Sequence, residues 1–123
     1  MIKRNTRNIG AQKEALAESY LTAAGLTVLE KNYKARQGEI DLICRDGEYL
    51  VFVEVKYRKK GSMEDPLSAV DALKQKRICQ TADVYRYRHG IPPQTPVRYD
   101  VIGILGEEIV WIKNAFPHRY VRG

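Results

Sequence analysis

Three ionisable side chains, Asp41, Glu54 and Lys56, lie in two stretches that are otherwise rich in β-branched and aromatic residues. Acids in such stretches break the local rule for a core strand, and such breaks are expected at functional sites. Two neighbouring carboxylates suit Mg²⁺ (or Mn²⁺), since Mg²⁺ takes hard oxygen ligands and usually needs only one or two protein carboxylates. Such an ion activates water and offsets phosphate charge, while a lysine orients or deprotonates the attacking water. The residue types and spacing are equally compatible with Glu–Lys and Asp–Lys ion pairs on a half-exposed surface.

The two stretches flank Asp46-Gly47, a dipeptide typical of a two-residue type I′ hairpin turn. If these two residues form the whole loop, Asp41 pairs with Phe52. Alternation along the strands then places Asp41, Glu54 and Lys56 on one face, with the two acids as diagonal neighbours about 7–8 Å apart. The opposite face is predicted to be entirely apolar and consists of Ile40, Leu42, Cys44, Val51, Val53 and Val55.

The pattern around this hairpin predicts a mixed α/β domain with the element order helix, three strands, helix, and one or two strands. The predicted elements besides the hairpin are a helix over Gly10–Ala24, a strand over Leu26–Tyr33, a helix over about Asp71–His89, and strands over Arg98–Leu105 and Glu108–Ile112. Trp111 and Phe116 are interpreted as packing anchors rather than as groups that stack on bases.

Glu14 lies in the first turn of the predicted first helix, at the edge of the stripe that contains Ala17 and Leu21. The helical pattern alone indicates an acid that interacts favourably with the helix dipole. A role for Glu14 in a site therefore needs support from elsewhere.

The 123 residues are enough for one domain with one hydrophobic core. The formal charge of +6 and the isoelectric point of about 9.4 meet the electrostatic criterion for nucleic-acid binding, although a soluble protein that binds no nucleic acid can carry the same charge. A basic N-terminal arm is predicted over about residues 1–9. The candidate contacts to a phosphate backbone, with solvated surface charge as the alternative, are Arg58, Lys59, Lys60, Lys74 and Gln75.

The sequence lacks the patterns of a membrane or secreted protein. No apolar run approaches the length of a membrane span, and no signal-peptide pattern is present. Cys44 and Cys79 are isolated, so their spacing indicates neither a zinc site nor a disulfide framework. We therefore expect a cytoplasmic, reducing location and no membrane partner.

The Asp41…Glu54-Val55-Lys56 spacing within this element order resembles the PD-(D/E)XK, or restriction-endonuclease-like, superfamily. Over nearly the whole chain the sequence also resembles a narrower group, the YraN-like bacterial proteins. The specific segments are GEIDLI over residues 38–43 and VFVEVK over residues 51–56. Further matching positions are Ile9-Gly10, Glu14, Ala17, Tyr20-Leu21, Gly25, Asn32, Arg58, Ala69-Val70, Lys74, Arg98-Tyr99-Asp100-Val101 and Asn114-Ala115-Phe116.

This resemblance implies an αβββαβ core, with a mixed central sheet flanked by helices, similar to the fold of archaeal Holliday-junction resolvases. It implies that Asp41 and Glu54 bind the metal, that Lys56 positions or deprotonates water, and that Glu14 is an accessory acid. The expected function is a Mg²⁺-dependent endonuclease acting on DNA, including branched or otherwise structured DNA, with a homodimer as one expected assembly. The alternative is a non-catalytic DNA-binding or accessory module that keeps the fold, and a weaker alternative is a nuclease directed at RNA.

Overall fold

A computed structural model of the chain describes residues 6–61 and 65–120. The elements are α1 (Thr6–Ala23), β1 (Thr27–Ala35), β2 (Gly38–Asp46), β3 (Tyr49–Arg58), a 3₁₀ turn (Pro66–Ala69), α2 (Ala72–Arg88), β4 (Val97–Leu105) and β5 (Glu108–Ile112). This order confirms the predicted α/β class. Because α1 begins at Thr6, residues 6–9 of the predicted basic arm are helical, and the rest of that arm lies outside the described residues.

The five strands form one mixed sheet in the order β1-β2-β3-β4-β5. All neighbouring strands are antiparallel except β3 and β4, which are parallel and are joined by the crossover that contains α2. One face packs against α1 through Ala17, Leu21, Leu26, Leu42, Cys44, Val51, Val53, Ile102 and Ile104. The other face carries α2, whose Ile78, Cys79, Ala82 and Tyr85 pack against Ile43, Phe52, Tyr99 and Val101.

The β2–β3 hairpin has a different turn from the predicted one. Asp46 pairs with Tyr49, so the loop is Gly47-Glu48 and not the predicted Asp46-Gly47. The loop lies one residue further along the chain than predicted, and each predicted β2–β3 pair is therefore wrong by two residues. Gly47 takes the positive φ of +59°, as a type II′ turn requires of its first loop residue, and Asp46 stays in the strand. The pairing of Asp41 with Phe52 is therefore also wrong, since Phe52 pairs with Ile43. A shift of two residues in the strand pairing does not change which side of the sheet a side chain is on, so most side chains lie on the predicted face.

Ile40 is the exception, because it lies on the α2 side of the sheet and not with Leu42 on the α1 side. The pairs Lys31–Leu42 and Tyr33–Ile40 flank one unpaired residue on each strand, namely Asn32 and Asp41. Asn32 has a φ of +52°, a conformation that asparagine tolerates better than most residues. The strands change face at this point, so the prediction for Ile40 was wrong.

The second helix agrees closely with its prediction. Asp71 caps its N-terminus by accepting a hydrogen bond from the backbone N–H of Lys74 at 2.8 Å. The helix ends at Arg88, and Gly90 follows with a φ of +60°. Within residues 6–61 and 65–120, neither this helix nor α1 is long and apolar enough to cross a membrane.

The C-terminal segment after β5 packs back onto β4 and α2. Phe116 stacks on Tyr99 with ring centroids 5.1 Å apart, and the N–H of Ala115 donates to the carbonyl of Tyr99 at 2.7 Å. His118 contacts the Tyr99 hydroxyl at 2.6 Å through Nδ1. The interpretation of Phe116 as a packing anchor is thus confirmed, and Trp111 also packs, with its indole N–H donating to Asp100 at 2.9 Å.

We predict that Phe116→Ala lowers the free energy of unfolding by about 3–5 kcal/mol, because it removes a buried ring and leaves a cavity against Tyr99. Urea unfolding measures this change. Tyr87→Ala is the matched control, since its ring is 88% exposed, and it is expected to cost less than about 1 kcal/mol. Equal losses for the two variants would contradict this account of the segment.

Candidate active site

The sheet divides where β2 parts from β3. The β2–β3 ladder ends at the pair Leu42–Val53. Beyond it, β2 continues beside β1 down to the pair Ala35–Gly38, whereas β3 continues beside β4 up to Arg58–Leu105. We call this place the fork. One more pair in the same register would set Asp41 opposite Glu54, so the two acids are the first residues on the two sides of the fork.

The carboxylate of Asp41 spans the fork. Its Oδ2 accepts a hydrogen bond from the backbone N–H of Val55 at 2.8 Å. Burial and the charge of Glu54 raise the pKa of Asp41 from its ordinary 3.8 to about 7; the Val55 hydrogen bond lowers it, and Glu14 and Glu39 raise it further. No cation among the described residues contributes to this balance, so Asp41 is a half-buried acid without a neutralising partner in that part of the chain.

Glu54 is buried, with only 5% of its surface exposed, and it has two lysine partners. Its Oε1 lies 3.2 Å from Nζ of Lys56 and 3.5 Å from Nζ of Lys74. Lys56 comes from the same face of β3, and Lys74 reaches over from the first turn of α2. Glu54 thus lies near Asp41, whose pKa its charge raises, and forms an ion pair with Lys56; no contact between Lys56 and Asp41 is present among the described residues. The ion-pair alternative describes Glu54 in part but does not account for Asp41.

Glu14 approaches from the other side of the sheet on α1, close enough for its charge to raise the pKa of Asp41. It lines a cavity of about 380 Å³ together with Asn32 and Lys34 of β1 and Glu39 of β2. The preceding Lys13 places its ammonium 4.6 Å from the centre of the Tyr57 ring on β3. Glu14 thus lies beside the acid pair, and its role as an accessory acid stays a prediction.

Of the predicted phosphate-contact residues, Lys74 is the one that contacts the acid pair, through Glu54. The amide of Gln75 instead donates to the carbonyl of Val70 at 3.0 Å and accepts from Arg119 at 2.9 Å. Arg58 continues the face of Glu54 and Lys56, and its guanidinium donates to the carbonyl of Tyr57 at 2.9 Å. Exposed Lys59 and Lys60 follow the end of β3, and no contact with Asp41 or Glu54 is present in the described part of the chain.

Asp100 is a buried acid whose role is structural, and its hydrogen bonds provide a comparison for Asp41. Asp100 is 1% exposed and accepts hydrogen bonds from the guanidinium of Arg98, the indole of Trp111 and the backbone N–H of Asn114, at 2.9–3.0 Å. The guanidinium of Arg98 also donates to Asp46 at 3.0 Å. Within the part of the chain that the structure describes, Asp41 has one backbone donor and no cation, so its setting differs from that of Asp100.

The two cysteines do not offer an alternative nucleophile. Both are buried and free, and they lie on opposite faces of the sheet. Burial raises the pKa of Cys44 to about 12, and it also raises the pKa of Cys79. Thiols with raised pKa values in apolar surroundings are inert.

The Asp41–Glu54 pair fits Mg²⁺ (or Mn²⁺) and does not fit a closed zinc site. Over residues 6–61 and 65–120, no three side chains from histidine, cysteine, aspartate and glutamate are arranged to hold a metal ion together. Mg²⁺ needs only one or two protein carboxylates and keeps several waters, whereas structural zinc takes four protein ligands. Burial, followed by the charge of Glu54, raises the pKa of the half-buried Asp41, and a divalent cation would neutralise the charge of that carboxylate.

Residues 13–104 match the family described as Uncharacterised protein family UPF0102. The chain belongs to the UPF0102 family. A UPF0102 protein of Lachnoclostridium phytofermentans is 46% identical over 112 residues, covering 91% of this chain and 95% of that relative. UPF0102 proteins of Nitrosococcus oceani and Marinobacter nauticus are 44% and 42% identical, covering 89% and 94% of this chain and 92% and 97% of the relatives. The YraN-like resemblance is confirmed at this family level.

We predict that Asp41→Asn stabilises the fold near neutral pH. Because the pKa is about 7 when folded and 3.8 when exposed, the native state holds the extra proton between these values, and stability falls as pH rises through this window. Asparagine can still accept from Val55 but carries no charge. In urea unfolding with EDTA, we expect a gain on the order of 2–4 kcal/mol at about pH 7.5 and almost none at about pH 4.

The control for this prediction is Glu107→Gln, which removes an exposed carboxylate and is expected to change stability by less than about 0.5 kcal/mol at both pH values. An Asp41→Asn protein no more stable than wild type at neutral pH would show that Asp41 is not held under charge strain.

Proposed function

We propose that this UPF0102 protein is a metal-dependent endonuclease that hydrolyses DNA phosphodiesters, including those of branched or structured DNA, and that its fold is of the PD-(D/E)XK type. The observation that carries the proposal is the acid pair at the fork. Glu54 is buried and Asp41 half-buried, the charge of Glu54 raises the pKa of Asp41, Lys56 pairs with Glu54, and no cation among the described residues neutralises Asp41. A protein that only bound DNA would gain nothing from buried carboxylates beside its binding surface, since they repel phosphate.

Asp41 and Glu54 are the residues that would hold Mg²⁺ (or Mn²⁺). When bound there, the ion supplies activation of a water molecule and offsets negative charge on the phosphate. The fork fixes both carboxylates through the backbone, since Asp41 is tied to Val55 and Glu54 is the adjacent residue of β3. The chain thus provides a rigid pair of oxygen ligands whose separation does not depend on a loop.

Lys56 is placed to act on the attacking water. Its Nζ is 3.2 Å from Oε1 of Glu54, and its side chain is 23% exposed, so it is anchored at one side and open to a substrate at the other. Its ammonium donates a hydrogen bond that orients the water, or, after losing a proton to solvent, its amine takes the proton of the water; the water oxygen bonds to phosphorus while the ester oxygen leaves and is protonated by solvent. Lys74, which contacts the same Oε1 of Glu54 at 3.5 Å, adds a positive charge that interacts favourably with the phosphate in the transition state.

The same proposal places the protein in the cytoplasm, where two buried free thiols stay reduced. The homodimer expected from the resemblance stays a prediction.

The competing function is a non-catalytic DNA-binding module, which the charge of +6 also favours.

The test is to incubate purified protein with duplex, forked and four-way DNA and with single-stranded RNA, in Mg²⁺ or EDTA. We expect wild type to cut DNA in Mg²⁺ only, and Glu54→Ala and Lys56→Ala to lower the rate by at least about 100-fold. Lys76→Ala, which removes an exposed α2 lysine outside the acid pair, is the matched control and is expected to stay within about threefold of wild type.

Three outcomes would contradict the proposal. Metal-dependent cutting that survives both substitutions removes this mechanism, because the activity then comes from another site or a contaminant. Binding of DNA with no cutting on any substrate favours the accessory module. Cutting confined to RNA keeps the site and changes the substrate.

A further inference from the structure

A positively charged cleft lies between the β1–β2 turn and α2, next to the acid pair. Its volume is about 370 Å³. Its lining residues are Arg36, Gln37, Gly38, Glu39, Lys74, Arg77 and Ile78. Neither Arg36 nor Arg77 was predicted from the sequence as a phosphate contact, because the two residues are far apart in the chain.

Gly38 is the reason that the turn and the helix come so close. A Cβ atom at this position would lie 3.2 Å from Oγ1 of Thr81 and 3.7 Å from Cβ of Arg77. The Thr81 hydroxyl donates to the carbonyl of Arg77 at 2.8 Å, so it is held in place at this contact. The absence of a side chain at residue 38 therefore lets the hairpin turn pack onto α2 and closes the cleft on one side.

The charge in the cleft is cationic. Arg36 from the turn and Arg77 from the helix are both exposed, and the half-buried Lys74 adds a third positive charge. Glu39 is the acid among the lining residues, so three cations face one carboxylate. Each guanidinium presents a planar set of N–H donors that matches the oxygens of a phosphate.

The cleft adjoins the acid pair, because two of its lining residues also interact with the acids. Lys74 lines the cleft, and its Nζ is 3.5 Å from Oε1 of Glu54. Glu39, also in the lining, is close enough to Asp41 for its charge to raise the pKa of that acid. A polymer with a phosphate at the acid pair would therefore bring its neighbouring phosphates to the arginines.

We infer that this cleft binds a backbone phosphate of the polynucleotide, next to the phosphate at the acid pair, through Arg36 and Arg77. This inference rests on the proposed function and adds the path that the strand takes, across the β1–β2 turn and along the first half of α2. Arg36 and Arg77 are binding residues here, and neither takes part in bond cleavage.

The experiment measures binding of fluorescein-labelled duplex and single-stranded DNA by anisotropy in EDTA, so that cutting does not interfere. KCl is varied over about 50–200 mM for wild type, Arg36→Ala, Arg77→Ala and the double variant. Each lost phosphate contact is expected to reduce the slope of log K against log[KCl] by about 0.9 for the duplex and about 0.7 for the single strand. For the duplex at about 0.1 M KCl this is a loss of about eightfold per arginine and about 60-fold for the pair.

Lys76→Ala is the matched control, because it removes one positive charge from the residue next to Arg77 but lies outside the cleft. It is expected to bind within about twofold of wild type and with the same salt slope. Circular dichroism checks that each variant is folded. A second arm adds inorganic phosphate and follows the melting temperature of wild type and the double variant.

The outcomes separate this inference from the proposed function. Arginine-dependent binding supports the cleft, even if no substrate is ever cut. Variants that bind as wild type does overturn the cleft, while Mg²⁺-dependent cutting by the same proteins leaves the endonuclease standing. Arginine-dependent stabilisation by inorganic phosphate, with unchanged DNA binding, overturns the polynucleotide assignment in favour of a small anion. Failure of wild type to bind any nucleic acid overturns both.

Discussion

The fork between β2 and β3 is the constraint on which the rest of the site depends. A continuous ladder would use the N–H of Val55 in the sheet and would keep Asp41 in line with its neighbours. Here the ladder ends at Leu42–Val53, and the Asp41 carboxylate takes the N–H of Val55 instead. The regular pairing of β2 with β3 is thus interrupted at one point, where a backbone hydrogen bond holds the carboxylate of Asp41. Local departures from regular structure of this kind are typical of functional sites.

The distribution of positive charge around the fork is uneven. Glu54 has two lysines, whereas Asp41 is half-buried and has acidic neighbours, so that burial and these charges raise its pKa to about 7. Asp100, in contrast, accepts hydrogen bonds from a guanidinium, an indole and a backbone N–H. Among the described residues Asp41 has no cation, and the proposed ion would neutralise it.

Much of this arrangement could be predicted from the sequence, because hairpin alternation and helix caps are local signals. The sequence predicted the ends of α2, the strands and the convergence of Asp41 with Glu54. The turn register was wrong, since the Asp46-Gly47 pair says little about which two residues form the loop. The change of face at Asn32 and the meeting of Arg36 with Arg77 depend on tertiary packing. No local pattern in a single sequence carries that information.

The central proposal is that Asp41 and Glu54 bind a divalent cation, and that the pKa of Asp41 is about 7 before the ion binds. Calorimetric titration of wild type with Mn²⁺, in buffers of different ionisation enthalpy, measures the protons released on binding. With a pKa of about 7, Asp41 should release roughly 0.9 protons per ion at about pH 6 and roughly 0.1 at about pH 8. Proton release that is the same at both pH values, or an undiminished Mn²⁺ affinity in Asp41→Asn, would contradict the account.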